Sequence, residues 1–211
     1  GDGVFETMLV RGGKPAFFTA HLARLRRGAA TLEMNAVFDE GAIRNAIASL
    51  ASRLDLRGNA VCRITVTRSG GARGLAPSSG AQIDNLIALH PAPAPKPYFR
   101  MIVAHSRRFS GAVTNGFKCV GAYAPNLLAR MEAARAGADE ALMMNEHGRA
   151  SCASAANVFL VLEGEVITPP ESEGAMPGVT RAALLDVAAE IGVAARIQPV
   201  SPAALEASPL M

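Results

Sequence analysis

Four prolines at alternate positions, PAPAPKP over 91–97, constrain this chain more than any other stretch. Proline fixes φ and lacks a backbone N–H, so such a run sustains neither a helix nor a central strand and acts as a stiff spacer. It splits the 211 residues into two parts. Ahead of it, VFETMLV (4–10) mixes β-branched and aromatic residues, RGGKP supplies a turn and AFF resumes, which predicts a hairpin. Thr19 is placed to cap a helix over 20–34, with Leu22, Leu25 and Ala29 on one face. FDEGAIRNAIASLASRL predicts a second amphipathic helix, and AVCRITVTRSG and QIDNLIALH alternate like strands. Beyond the prolines, YFRMIVAHSRR, EALMMN and NVFLVLEGEVITP predict strands, the last turning at EGE. APNLLARMEAARAG, closed by Gly137, and PGVTRAALLDVAAEIGV predict helices. The expected class is α+β in two unequal lobes: a smaller N-terminal α/β domain at 1–90, a linker at 91–97 and a larger C-terminal α/β domain at 98–211.

Composition narrows the chemistry. Half the residues are hydrophobic and 18% are charged, enough apolar material for a sizeable core. The net charge of +3 is spread without a basic run or interleaved aromatics, so no nucleic-acid partner is expected. Cys62, Cys119 and Cys152 are odd in number and lack metal-ligand spacing, which points to a reducing compartment with no disulfide framework and no metal. No apolar run reaches 18 residues, so no membrane partner is expected. GDGVFETMLV reads as the interior of a domain with no signal peptide, so the location expected is cytoplasmic and the chain is expected to be trimmed.

Two stretches carry reactive or anion-binding character. Lys118 lies in GFKCV, too apolar for an ordinary solvated face. A strand-end lysine commonly sends its ammonium to water, whereas a partly desolvated one has the lowered pKa that lets an amine attack a carbonyl. Tyr123 follows five residues later. In MPGVTRA, Gly178, Val179 and Thr180 precede a helix, where backbone N–H groups and the helix dipole favour an anion. The same pattern also serves as an ordinary helix start. His21 and His147 read as surface or core histidines, and there is no Walker A, dinucleotide fingerprint, HExxH or GxSxG motif.

GDGVFE, HLARL, Lys118 with Tyr123, GRASCASAANVF and PGVTR occur in an order that resembles the class IV pyridoxal-phosphate aminotransferase family, across nearly the whole chain. That family includes branched-chain and D-amino-acid aminotransferases and aminodeoxychorismate lyases. The resemblance implies the two-lobed fold type IV, similar to D-amino-acid aminotransferase, with pyridoxal 5'-phosphate between the lobes and a homodimer. It makes Lys118 the residue joined to the cofactor aldehyde, and Arg24, Val179 and Thr180 holders of the phosphate, with Asn157 nearby in the cofactor site. Tyr123 would hydrogen-bond the ring 3-oxygen, Phe5 would line the substrate pocket, and Arg68 and Arg73 would lie on the loop near the substrate carboxylate. The implied reaction is transfer of an amino group between an amino acid and a 2-keto acid. Alternatives are elimination of pyruvate from aminodeoxychorismate and a non-catalytic, cofactor-binding scaffold.

The chain departs from this pattern at one position. Family members carry a glutamate four residues after the glycine and five before the asparagine, and both counts land on Cys152. The glutamate pairs with the ring nitrogen; a thiol, with an ordinary pKa of about 8.5, is a poor substitute at neutral pH. Losing one charge-assisted hydrogen bond weakens carbanion stabilisation by about 1.5–3 kcal/mol, or about 10- to 100-fold in rate. The open readings are a slower enzyme, a loop carboxylate such as Glu173 in its place, or an ionised Cys152 paired with the ring.

Overall fold

The computed structural model describes residues 2–56, 58–70, 74–78 and 80–207. The chain divides into two compact units, one of Gly1–Pro95 with Phe117–Gly121, the other of Lys96–Gly116 with Ala122–Met211.

The first unit is built on β1 (Gly3–Arg11), β2 (Lys14–Pro15), β3 (Asn59–Ser69) and β4 (Gln82–Pro91), antiparallel in the order β2-β1-β3-β4. Strand alternation sends Val4, Glu6, Met8 and Val10 to one face, and all four are buried. Helix α1 (Phe18–Thr31) packs against β1, burying Leu22, Leu25 and Ala29 as its periodicity predicts. Helix α2 (Glu40–Arg53) is capped by Asp39, whose Oδ1 accepts the Ala42 N–H at 2.9 Å.

Two details differ from expectation. The hairpin's return strand is only two residues long, because Ala16 and Phe17 turn instead of extending. Phe17 takes the left-handed conformation (φ 48°) and occupies the cap position, so α1 begins before Thr19 rather than being capped by it. Helix onset here follows backbone geometry and the burial of Phe18, not a side-chain cap.

In the second unit, β5 (Met101–Val103), β6 (Glu140–Met144) and β7 (Ala150–Ala153) form one sheet, and β8 (Leu160–Leu162), β9 (Glu165–Thr168) and β10 (Ala195–Ile197) another. The β8–β9 turn places Glu163 and Gly164 at φ 50° and 81°, the double positive pair a tight hairpin requires. Helix α3 (Ala124–Arg135) packs on β6, with Ala129 and Ala133 against Ala104, Ala141 and Met143. Gly137 (φ 68°) ends it as expected. Helix α4 (Val179–Glu190) and the short α5 (Pro202–Ala207) complete the unit. The expected strand over 98–108 contracts to three residues, and β7, β10 and α5 had no sequence signal strong enough to assign. Among the described residues no helix is long and apolar enough to cross a membrane.

Candidate functional site

In the first unit, Lys118 is held by its neighbours. The Phe117 ring lies on α1 at Gly28, where an added Cβ would come within 2.7 Å of the ring, so glycine is what lets the ring settle there. Cys119 pairs with Val4 in an antiparallel bridge, and the Phe5 N–H donates to the Lys118 carbonyl at 2.9 Å. With Phe117 and Cys119 both buried, Lys118 lies between two anchored neighbours and is itself half-buried. Its Nζ stands 5.4 Å from the centroid of Phe5. Arg63, on β3, lays its guanidinium carbon 3.7 Å from the same centroid. The structure thus gathers Phe5 and Lys118, both expected, and Arg63, which was not.

Arg24 and Glu6 form the electrostatic centre of this unit. His21 and Arg24 are three residues apart on α1 and share a face. That face packs on β1, where Glu6 points the same way as Val4 and Met8. The carboxylate, fully buried, accepts Arg24 Nε at 2.6 Å and Nη2 at 2.9 Å, and His21 Nδ1 at 2.7 Å. Burial alone would raise the Glu6 pKa, but the hydrogen bonds from His21 and Arg24 outweigh it and hold the carboxyl below its ordinary value. Glu6 was not among the residues expected, although strand alternation and the His-x-x-Arg spacing carried the signal.

Arg68 has partners within its own unit. Its Nη2 donates to the Leu32 carbonyl and its Nη1 pairs with Asp2 Oδ2 at 3.2 Å. Arg73 lies outside the described residues.

In the second unit, Asn157, Val179 and Thr180 do come together. Asn157 Nδ2 donates to the Met176 carbonyl at 2.8 Å, and its Oδ1 occupies the space a Cβ at Gly178 would take. Only glycine lets the chain enter α4 beside that amide. Arg181 braces the same helix start: Nη2 donates to the Pro169 carbonyl at 3.0 Å and Nε to Thr168 Oγ1 at 3.3 Å. Burial pushes the Arg181 pKa down. Val179 is buried and Thr180 exposed. Tyr123 sits half-buried at the cap of α3. Cys152 is buried on β7, opposite Met143 on β6.

Glu173, the loop carboxylate considered for the ring nitrogen, already has partners. Its Oε2 accepts Arg149 Nε at 2.7 Å and Asn145 Nδ2 at 2.5 Å, and Arg149 holds the carboxyl below its ordinary value. Its charge is therefore matched by Arg149, which leaves Cys152 as the residue at the departure point.

In the first unit an anchored amine and a guanidinium are groups suited to an aldehyde and an anionic tail; in the second, taken by itself, a glycine-opened helix N-terminus lies beside an asparagine side chain, a start suited to an anion. Each unit's groups, taken separately, are of the kinds that pyridoxal phosphate needs, and the Cys152 thiol is the exception.

The family model described as amino-transferase class IV matches residues 3–211. A probable branched-chain-amino-acid aminotransferase of Synechocystis is 36% identical over 39% of this chain, a stretch that covers only 27% of that relative's length. The solved 4-amino-4-deoxychorismate lyase of Pseudomonas aeruginosa is 33% identical, with TM-score 0.84, over 98% of this chain and 76% of its own. The branched-chain amino acid aminotransferase of Escherichia coli is 25% identical, with TM-score 0.89, over 98% of this chain and 71% of its own.

Proposed function

Because the chain belongs to the class IV aminotransferase family, we propose that it is a pyridoxal-phosphate-dependent aminotransferase moving an amino group from an amino acid to a 2-keto acid. The observation that carries this reading is the anchored, half-buried Lys118 beside Phe5. Bound, the cofactor supplies an electron sink for the charge that develops at the substrate Cα. Lys118 Nζ would be the amine that holds the cofactor aldehyde, and the same amine would move the proton at the substrate Cα. Arg24 and the Val179–Thr180 helix start would hold the phosphate, with Asn157 beside that start, and Tyr123 would hydrogen-bond the ring hydroxyl. Phe5 packs on the substrate. Arg63 fits the carboxylate better than Arg68, because it shares the Phe5 ring with Lys118 while Arg68 is tied to Asp2 and Leu32. Arg73 is a second carboxylate candidate from its place in the sequence. The protein works as a homodimer in the cytoplasm, and sedimentation at twice the chain mass is the expected result.

Borohydride reduction of the cofactor-loaded protein followed by peptide mapping tests the assignment: the pyridoxyl label is expected on Lys118, and a label elsewhere overturns it. A second reading is aminodeoxychorismate lyase, favoured by the 33% identity to the Pseudomonas lyase over 98% of the chain. Pyruvate released from aminodeoxychorismate, with no amino transfer to any keto acid, would establish it. A third, the cofactor-binding scaffold, is favoured by Cys152; it predicts labelling of Lys118 with a spectrum that no amino donor changes.

A further inference from the structure

We infer that Glu6 is a positioning residue for the cofactor's anionic tail, acting by fixing the plane in which Arg24 presents its guanidinium. The inference rests on the reading of Arg24 as a phosphate ligand. The helix-facing side of β1 is otherwise apolar, with Val4, Met8 and Val10 all buried. An apolar residue at position 6 would continue that pattern, and replacing a buried ion pair by well-packed hydrophobic groups is often neutral or stabilising. Stability alone therefore does not explain a carboxylate there. Geometry does. Both Glu6 oxygens are used, and the fork across Arg24 Nε and Nη2 removes the freedom of a long, flexible side chain. His21, one turn earlier on α1, holds the oxygen that Nη2 also uses. Arg24 is only 4% exposed, so its guanidinium has little room to turn out of the orientation Glu6 sets. The cluster thus converts a mobile cation into a fixed donor.

The test compares pyridoxal phosphate with pyridoxal, which has the same aldehyde and no phosphate, in absorbance titrations of cofactor-free protein. Arg24→Gln establishes the baseline and is expected to weaken pyridoxal phosphate and spare pyridoxal. Glu6→Asp keeps the charge but withdraws the carboxylate by one methylene. It is expected to weaken pyridoxal phosphate about tenfold with pyridoxal little changed, the size of one charge-assisted hydrogen bond. His21→Gln, which leaves the Glu6–Arg24 pair intact, is expected to change the same ratio in the same direction by less, and it carries the test if the aspartate variant does not fold. Equal weakening of both ligands would mark a merely structural role, and no change in either would remove any role; each overturns the inference. If Arg24→Gln leaves the ratio unchanged, the phosphate reading of Arg24 falls and this inference falls with it. If Arg24→Gln lowers the ratio and the Glu6 and His21 variants do not, only the role of Glu6 is lost.

Discussion

The two units hold their candidate residues by different means. In the first, every key side chain is fixed by regular structure: Glu6 by strand alternation, His21 and Arg24 by one helical face, and Lys118 by a bridge to β1 and a ring seated on Gly28. In the second, the helix start at Gly178–Thr180 is equally well braced, but the residue at 152 has changed and the nearby buried carboxylate, Glu173, is paired with Arg149. The first unit carries each of its described candidate residues as the family resemblance implies, whereas the second carries a thiol where that resemblance implies a carboxylate. Substitutions in the first should therefore cost folding and cofactor capture together. In the second, turnover should change while capture survives.

The largest effect is expected from Glu6→Gln. It leaves the Arg24 guanidinium buried without its counter-ion, a loss of about 3–5 kcal/mol for breaking such a pair from one side. Urea unfolding of the variant should show a much lower midpoint with an unchanged slope. A loss below about 1 kcal/mol, the range of exposed ion pairs, would show that the pair is open to water and that the cluster is not enclosed.

Cys152→Glu sharpens the other side of the comparison. Restoring the acid should raise turnover about 10- to 100-fold if ring-nitrogen pairing is the step the thiol impairs. Because position 152 is buried, the same change should lower the Tm of cofactor-free protein by burying a carboxylate. Borohydride labelling of Lys118 should not change. Faster turnover with unaltered labelling would localise the departure to chemistry. Unaltered turnover would mean that the thiol was never limiting, and the contrast between the units would disappear.

Gly28→Ala probes the seating of Lys118 and should act less strongly. The added methyl meets the Phe117 ring at 2.7 Å, and overpacking of this kind costs about 1–3 kcal/mol. Since the ring moves with its neighbours, lysine labelling should fall together with stability. A variant that loses stability but labels normally would separate the ring from the amine.

How much of this was legible beforehand follows from which interactions are local. The helices and long strands declared themselves through periodicity, and Lys118 through its apolar flanks. Short strands such as β7 and β10 gain their hydrogen bonds from distant partners, so three or four residues carried no signal of their own. Glu6 was readable as a charge on an apolar face, but its meaning needed α1 laid across β1 in register. Arg63 and Arg68 are both arginines on β3; only the folded pairing shows one over Phe5 and the other tied to Asp2 and Leu32.

The smallest expected effect lies in the acid limb of stability. Glu6 and Glu173 are both held below their ordinary value of 4.5. A depressed folded pKa means that the unfolded chain takes up protons first, so each carboxylate's contribution is complete above about pH 4.5 and is lost as pH falls through the lower folded value. The two differ in their partners. The side chains that hold Glu6 are 5% and 9% exposed, whereas that of Arg149 is 41% exposed and reaches water when its carboxylate is protonated. Glu173→Gln should therefore flatten the fall in Tm below pH 4.5 only slightly, and Glu6→Gln should flatten it more, the rest belonging to carboxylates such as Glu132, Asp139 and Glu146 that are also held below their ordinary values. The comparison is read from thermal unfolding of each variant against the parent chain over the same pH series. Equal flattening by the two substitutions would mean that solvent reaches both carboxylates alike, and the distinction between an enclosed first-unit cluster and an open second-unit pair would fail.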